Sequence, residues 1–155
     1  HYLRPTARGT SDMDELDRKI MALLQLDGRA SNAKIAREVG VTEGTVRRRL
    51  GRLLGDDFVE IMAVPNLEKL GYTTTALIGL QTMPAKQEAV ADAVARLEEV
   101  PYVATTTGSY DIFLWVGVES PEQLGRFLRQ KLGPVEGIRH SETFVNLFIK
   151  KLPTG

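Results

Sequence analysis

The sequence has no cysteine, so disulfides, thiolate zinc sites and cysteine nucleophiles are excluded, and a reducing compartment is the compatible setting. Histidine is scarce. Only His1 and His140 occur, which removes the commonest general base and metal ligand from most of the chain. No apolar run approaches the roughly 18 to 20 residues that span a bilayer, and the start, His1 to Thr10, lacks the apolar core of a signal peptide. An excess of charge of one sign is also missing, since 20 Lys and Arg face 20 Asp and Glu, so the whole chain has no electrostatic bias toward nucleic acid. These gaps leave no expected catalytic cluster, metal site or cofactor, and they suggest a cytoplasmic protein that makes no contact with membranes.

What is present suits soluble globular protein: 155 residues, 43% hydrophobic and 26% charged, enough for one ordinary or two small domains. The charge balance hides a local asymmetry. Asp12, Asp14, Glu15 and Asp17 concentrate negative charge early, whereas Thr42 to Leu54 carries Arg47, Arg48, Arg49 and Arg52 against the single acid Glu43.

Residues 1–11, with Pro5 and Gly9, read as a flexible arm. Ser11 and Asp12 are candidate helix caps, and Leu16, Ile20, Leu23 and Leu24 fall on one helical face that ends near Leu26. After the Asp27-Gly28-Arg29-Ala30 turn, Ser31 caps a second helix with Ile35, Ala36 and Val39 inward, and Gly40 ends it. Thr42 caps a third, with Val46, Leu50, Leu53 and Leu54 in register until Gly55-Asp56-Asp57. Residues 12–57 therefore predict a three-helix domain. Phe58 to Val64 reads as a strand and Pro65 to Gly71 as a connector with a helical turn, so 58–71 is taken as strand and linker.

From residue 72 to 155 the periods alternate. Strands are predicted at Tyr72–Thr82, Tyr102–Thr107, Tyr110–Val118 and about Ile138–Ile149. One helix follows Pro84 with Val90, Val94 and Leu97 inward; another follows the Ser120-Pro121 cap with Leu124, Phe127, Leu128 and Leu132 inward. Gly108-Ser109 reads as a two-residue hairpin turn. The order βαββαβ predicts an α+β chain whose second domain is a ferredoxin-like sheet with both helices on one face. Phe113, Trp115, Phe144 and Phe148 lie on strands with no third layer to cover them, which predicts burial against a second copy.

Three short helices ending in a basic one form a helix-turn-helix pattern, and the last helix of such a unit lies in the major groove of duplex DNA. Turning about 100° per residue from Val46 places Gly44, Thr45, Arg48 and Arg52 opposite the apolar face, with Arg47 and Arg49 on its flanks. Gly44 allows close backbone approach, Thr42 and Thr45 offer hydroxyls, Arg48 suits bidentate recognition of guanine, and Arg52 is placed to meet phosphate. Arg49 fits a second role equally well, as an ion-pair partner of Asp17 or Glu38.

These residues resemble the Lrp/AsnC, or feast/famine, regulators over nearly the whole chain from Met13. The resemblance rests on Leu16-Asp17-Arg18-Lys19-Ile20, Asp27-Gly28-Arg29, Ile35-Ala36, Val39-Gly40-Val41-Thr42, Leu67-Glu68-Lys69-Leu70-Gly71 and Thr107-Gly108-Ser109-Tyr110-Asp111. It implies a winged helix-turn-helix, a C-terminal domain that binds an amino acid or related small molecule, and homodimers that assemble to octamers around a nucleoid-associated role. The effector in such proteins sits between neighbouring dimers, near the hairpin and the last strand, which points to Thr107, Gly108, Ser109, Tyr110, Asp111, Ser141 and Thr143. The backbone N–H groups around Gly108 could hold a carboxylate and Asp111 an ammonium; equally, the segment could be a plain turn with Tyr110 as packing. Two departures stand out. Glu43-Gly44-Thr45 occupies positions where the family often has proline, and Ser109 replaces the first acid of its usual Gly-Asp-Tyr-Asp hairpin. The alternatives are an effector-independent architectural DNA-binding protein and, on the same two-domain pattern, an enzyme similar to sirohaem decarboxylases, for which two histidines are few.

Overall fold

The structure, a computed structural model, describes residues 13–152. The expected arm and the candidate caps Ser11 and Asp12 lie outside them. The chain forms two compact units divided between Val64 and Pro65.

In the first unit, α1 (Glu15–Leu26), α2 (Asn32–Val39) and α3 (Glu43–Gly55) follow one another through short turns. Each start has a physical cause. Asp14 caps α1 in a reciprocal box with Asp17, the Ser31 hydroxyl accepts from Lys34 N–H, and Thr42 accepts from Thr45 N–H. Gly40 closes α2 at φ 74°, the left-handed conformation that a side chain disfavours. Ile20, Ile35, Val46 and Leu53 are fully buried, one or two from each helix, and each stabilises the unit by about 1.5–3 kcal/mol through burial alone. Leu54, expected inside, is exposed, because one residue beyond Leu53 the helix has turned about 100° away from the direction that Leu53 takes into the core.

The strand expected at Phe58–Val64 does not form. Phe58 and Val59 donate their N–H groups to Leu53 O, folding the chain back over the end of α3. Beyond them no strand among the described residues pairs with the segment, and an extended run without a ladder partner is not a strand. The wing implied by the family resemblance is accordingly not seen. The helical turn at Leu67–Leu70 is present, closed by Tyr72 N–H to Leu67 O.

The second unit runs β1 (Thr74–Thr82), α4 (Gln87–Ala95), β2 (Tyr102–Thr105), β3 (Ile112–Val118), α5 (Pro121–Arg126) and β4 (Ile138–Val145). The sheet is wholly antiparallel in the order β2-β3-β1-β4. Alternate residues Ala76, Ile78 and Leu80 of β1, and Ile112, Leu114 and Val116 of β3, face Val90 and Val94 of α4 and Leu124 of α5. α5 continues into a π-helical turn, Phe127–Leu132. Five residues rotate about 140° in an α-helix, too far for Phe127 and Leu132 to face one core. The wider turn, with its i to i+5 bonds, buries both.

Among the described residues of this unit, no helix covers the other face. Cross-strand partners share a face, so the register places Tyr102, Trp115, Leu77 and Phe144 in one row across all four strands. β4 ends at Val145, short of the expected Ile149, after which Leu147 and Phe148 stand exposed.

Candidate DNA-reading helix and effector hairpin

The solvent face of α3 divides into two halves. Near its start Gly44, Arg47 and Arg48 are exposed. Arg47 reaches back one turn to Glu43 at 3.2 Å, a surface pair of small energetic weight. Arg48 makes no ion pair with any described residue, and its guanidinium is open to a partner. The Thr42 and Thr45 hydroxyls lie 2.9 Å apart and bond to each other, which fixes both beside the first turn.

The second half is tied down. Arg49 pairs with Asp14 at 2.5 Å and Asp17 at 3.3 Å, and Arg52 pairs with Asp17 at 2.5 Å. Asp17 is fully buried, so both of its oxygens are satisfied by arginines from α3. A buried carboxylate stripped of its partners is strongly destabilising, and this network therefore pins α3 to α1. The Asp14 carboxyl is held below its usual range, first by the Asp17 N–H and then by the Arg49 guanidinium; the same contact with Asp14 raises Arg49. Of the two roles open to Arg49 in the sequence, the one with Asp17 is realised. Arg52, expected to meet phosphate, is placed against Asp17. The sign of the early acidic cluster was visible, but its depth was not: a carboxylate at a helix start gives no periodicity signal.

The hairpin is longer than a two-residue turn. Thr105 pairs with Ile112, and Thr106 N–H donates to Asp111 O at 2.9 Å, so Thr107, Gly108, Ser109 and Tyr110 form a four-residue connection. Gly108 sits at φ 101°, where a side chain would be strained. Four hydrogen bonds from three residues set the loop's position. Gln81 Nε2 donates to Ser109 O, Gln87 Nε2 to Asp111 O, and the Thr82 N–H and hydroxyl to Asp111 Oδ2. Sequence reasoning missed Gln81, Thr82 and Gln87, whose roles depend on a strand end and a helix start meeting in space.

Tyr110 covers the backbone of Gly79, where an added Cβ would come within 2.8 Å of its ring. The ring also stands edge-on to Phe113 and Phe144, which is packing. Ser141 pairs with Leu80 and Thr143 with Ile78, so both hydroxyls point to the helical side, opposite the face that Tyr110 covers. The chain thus gathers Thr107 to Asp111 and leaves Ser141 and Thr143 on the other side of the sheet. Among the described residues no group of three or more His, Cys, Asp or Glu could hold a metal, and no helix is long and apolar enough to cross a membrane.

Comparison with known proteins gives a consistent result for both units. Residues 13–54 match the AsnC-type helix-turn-helix domain, and residues 75–152 match the Lrp/AsnC ligand binding domain. An uncharacterized HTH-type transcriptional regulator of Pyrococcus furiosus is 41% identical over 90% of this chain and 95% of its own length. Another, from Pyrococcus abyssi, is 39% identical over 90% and 89%. Among solved structures, Escherichia coli AsnC superposes with a TM-score of 0.84 at 26% identity, covering 90% of this chain and 95% of that one.

Proposed function

The chain belongs to the Lrp/AsnC family of DNA-binding transcriptional regulators, and on that premise we propose that it reads an operator through the first half of α3, under control of an amino acid held at the 107–111 hairpin. One observation carries the DNA-reading half. Gly44, Arg47 and Arg48 are exposed on the helix that follows the Gly40 turn, while the arginines one turn further on hold that helix in place. Thr42, Gly44, Thr45 and Arg47 are assigned to positioning on the duplex and Arg48 to a base edge. Arg49 and Arg52 contribute by presenting the helix.

For the effector, the amides of Gly108 and Ser109 donate to no acceptor among the described residues, so they are open to a carboxylate. Asp111 has Oδ2 committed to Thr82, which leaves Oδ1 for an ammonium. The aromatic row on the bare sheet face supports a homodimer; assembly of dimers to an octamer rests on the family resemblance alone. Selection of binding sites from a random duplex pool, followed by footprinting, tests the proposal: one enriched motif is expected, and an unenriched pool overturns it. A thermal-shift series with the twenty L-amino acids tests the second half, and a flat response overturns that half.

A further inference from the structure

Glu99 lies within the connection from α4 to β2, and its carbonyl accepts from Gly117 N–H at 3.1 Å. This anchors it at the end of β3. Across from it, Gln123, Arg126 and Gln130 fall three and four residues apart, one polar stripe on the helix that begins with α5. The π-helical turn that buries Phe127 and Leu132 carries Lys131 to the same side, where it pairs with Glu99 Oε1. Such turns occur frequently at functional sites. Between these elements lies a cavity of about 400 Å3, lined within the second unit alone, a size that suits a small molecule.

Its polar groups are unevenly used. Glu99 Oε2 is buried and has no hydrogen-bond partner among the described residues, and a buried acceptor left without a donor is costly. Burial is the largest single influence on the Glu99 carboxyl and pushes it up, but the Lys131 hydrogen bond, the residue's own backbone N–H and the Lys131 charge together outweigh burial and hold the carboxyl below its ordinary value. Arg126 spends one nitrogen on exposed Glu122 at 3.0 Å, leaving other N–H donors of its fork. A ligand bearing only positive charge would meet Arg126 and Lys131; one bearing only negative charge would meet Glu99 and Glu119. A molecule with both signs matches the set.

We propose that this cleft is a second small-molecule site, separate from the 107–111 hairpin, that takes a small zwitterion with its ammonium on Glu99 Oε2 and its acid group on Arg126. The site stands on its own contacts, whatever the hairpin binds.

Isothermal titration of the full chain tests it, with taurine, γ-aminobutyrate and the twenty L-amino acids as probes, and glycine betaine as a zwitterion with no N–H to donate. At least one probe is expected to bind, with betaine failing, and Glu99→Gln and Arg126→Ala each weakening that binding about tenfold or more. Asp111→Ala should leave it unchanged, which separates this site from the hairpin. Arg126 is exposed, so its substitution keeps the test valid even where Glu99→Gln lowers stability. Binding that is indifferent to both cleft substitutions, or no binding by any probe at millimolar concentration, overturns the proposal.

Discussion

Asp17 shows how much one side chain decides. Its side chain closes the capping box by accepting from the Asp14 N–H, accepts from two arginines 32 and 35 residues along the chain, and its backbone N–H donates to Asp14. Asp17→Asn removes the charge while keeping the volume, so the expected result is a loss toward the lower end of about 3–5 kcal/mol, since both arginines retain some access to water. Thermal unfolding followed by circular dichroism checks this, and an unchanged midpoint contradicts it. Asp14 gives a pH test. Because its folded carboxyl titrates below the ordinary value, it binds fewer protons folded than unfolded around that value. The stability it contributes is full above about pH 4 and is lost as pH falls through the depressed folded value. Asp14→Asn keeps a good cap and loses the ion pair, so its acid-unfolding curve should be flatter in that window than the wild type's.

Among the elements, the helices were the most legible. Their caps and apolar spacings at Ser31, Thr42 and Ser120 are local, and local signals survive into the fold. Strand ends were less so. β1 starts at Thr74 and β3 at Ile112, each two residues later than the apolar pattern predicts, because pairing is set by neighbours that the sequence does not order. The hairpin shows the same limit: Gly108-Ser109 is a turn signal, but Tyr110 is drawn onto Gly79 and lengthens the loop. Gly79→Ala should therefore displace that ring and destabilise the unit by about 1–3 kcal/mol, as overpacking does. Near-ultraviolet circular dichroism and the unfolding midpoint together check it. Wild-type values for both would mean that the ring moves freely.

For the molecule as a whole, domain order and fold class were readable from the switch between helical and alternating periods, whereas the fate of Phe58–Val64 was not. Its composition favours a strand, but a strand needs a partner, and none among the described residues pairs with it. The bare sheet face makes a further whole-molecule prediction. Leu77 and Trp115 sit at the centre of the row between Tyr102 and Phe144, so under the proposed homodimer the wild type should sediment as a dimer and Leu77→Lys as a monomer; a monomeric wild type, or an unaltered dimer in the variant, would contradict that interface. The central claim is that the two halves of the α3 surface do different jobs. Fluorescence anisotropy titrations of the selected motif and of a scrambled duplex, across a salt series, test it most directly. Arg48→Ala is expected to lose about 1–3 kcal/mol on the motif and far less on the scrambled duplex, while Arg52→Ala lowers the unfolding midpoint and leaves the salt slope unchanged. Equal affinity of Arg48→Ala and wild type for the motif, or a salt slope reduced by about one in Arg52→Ala, would contradict the account.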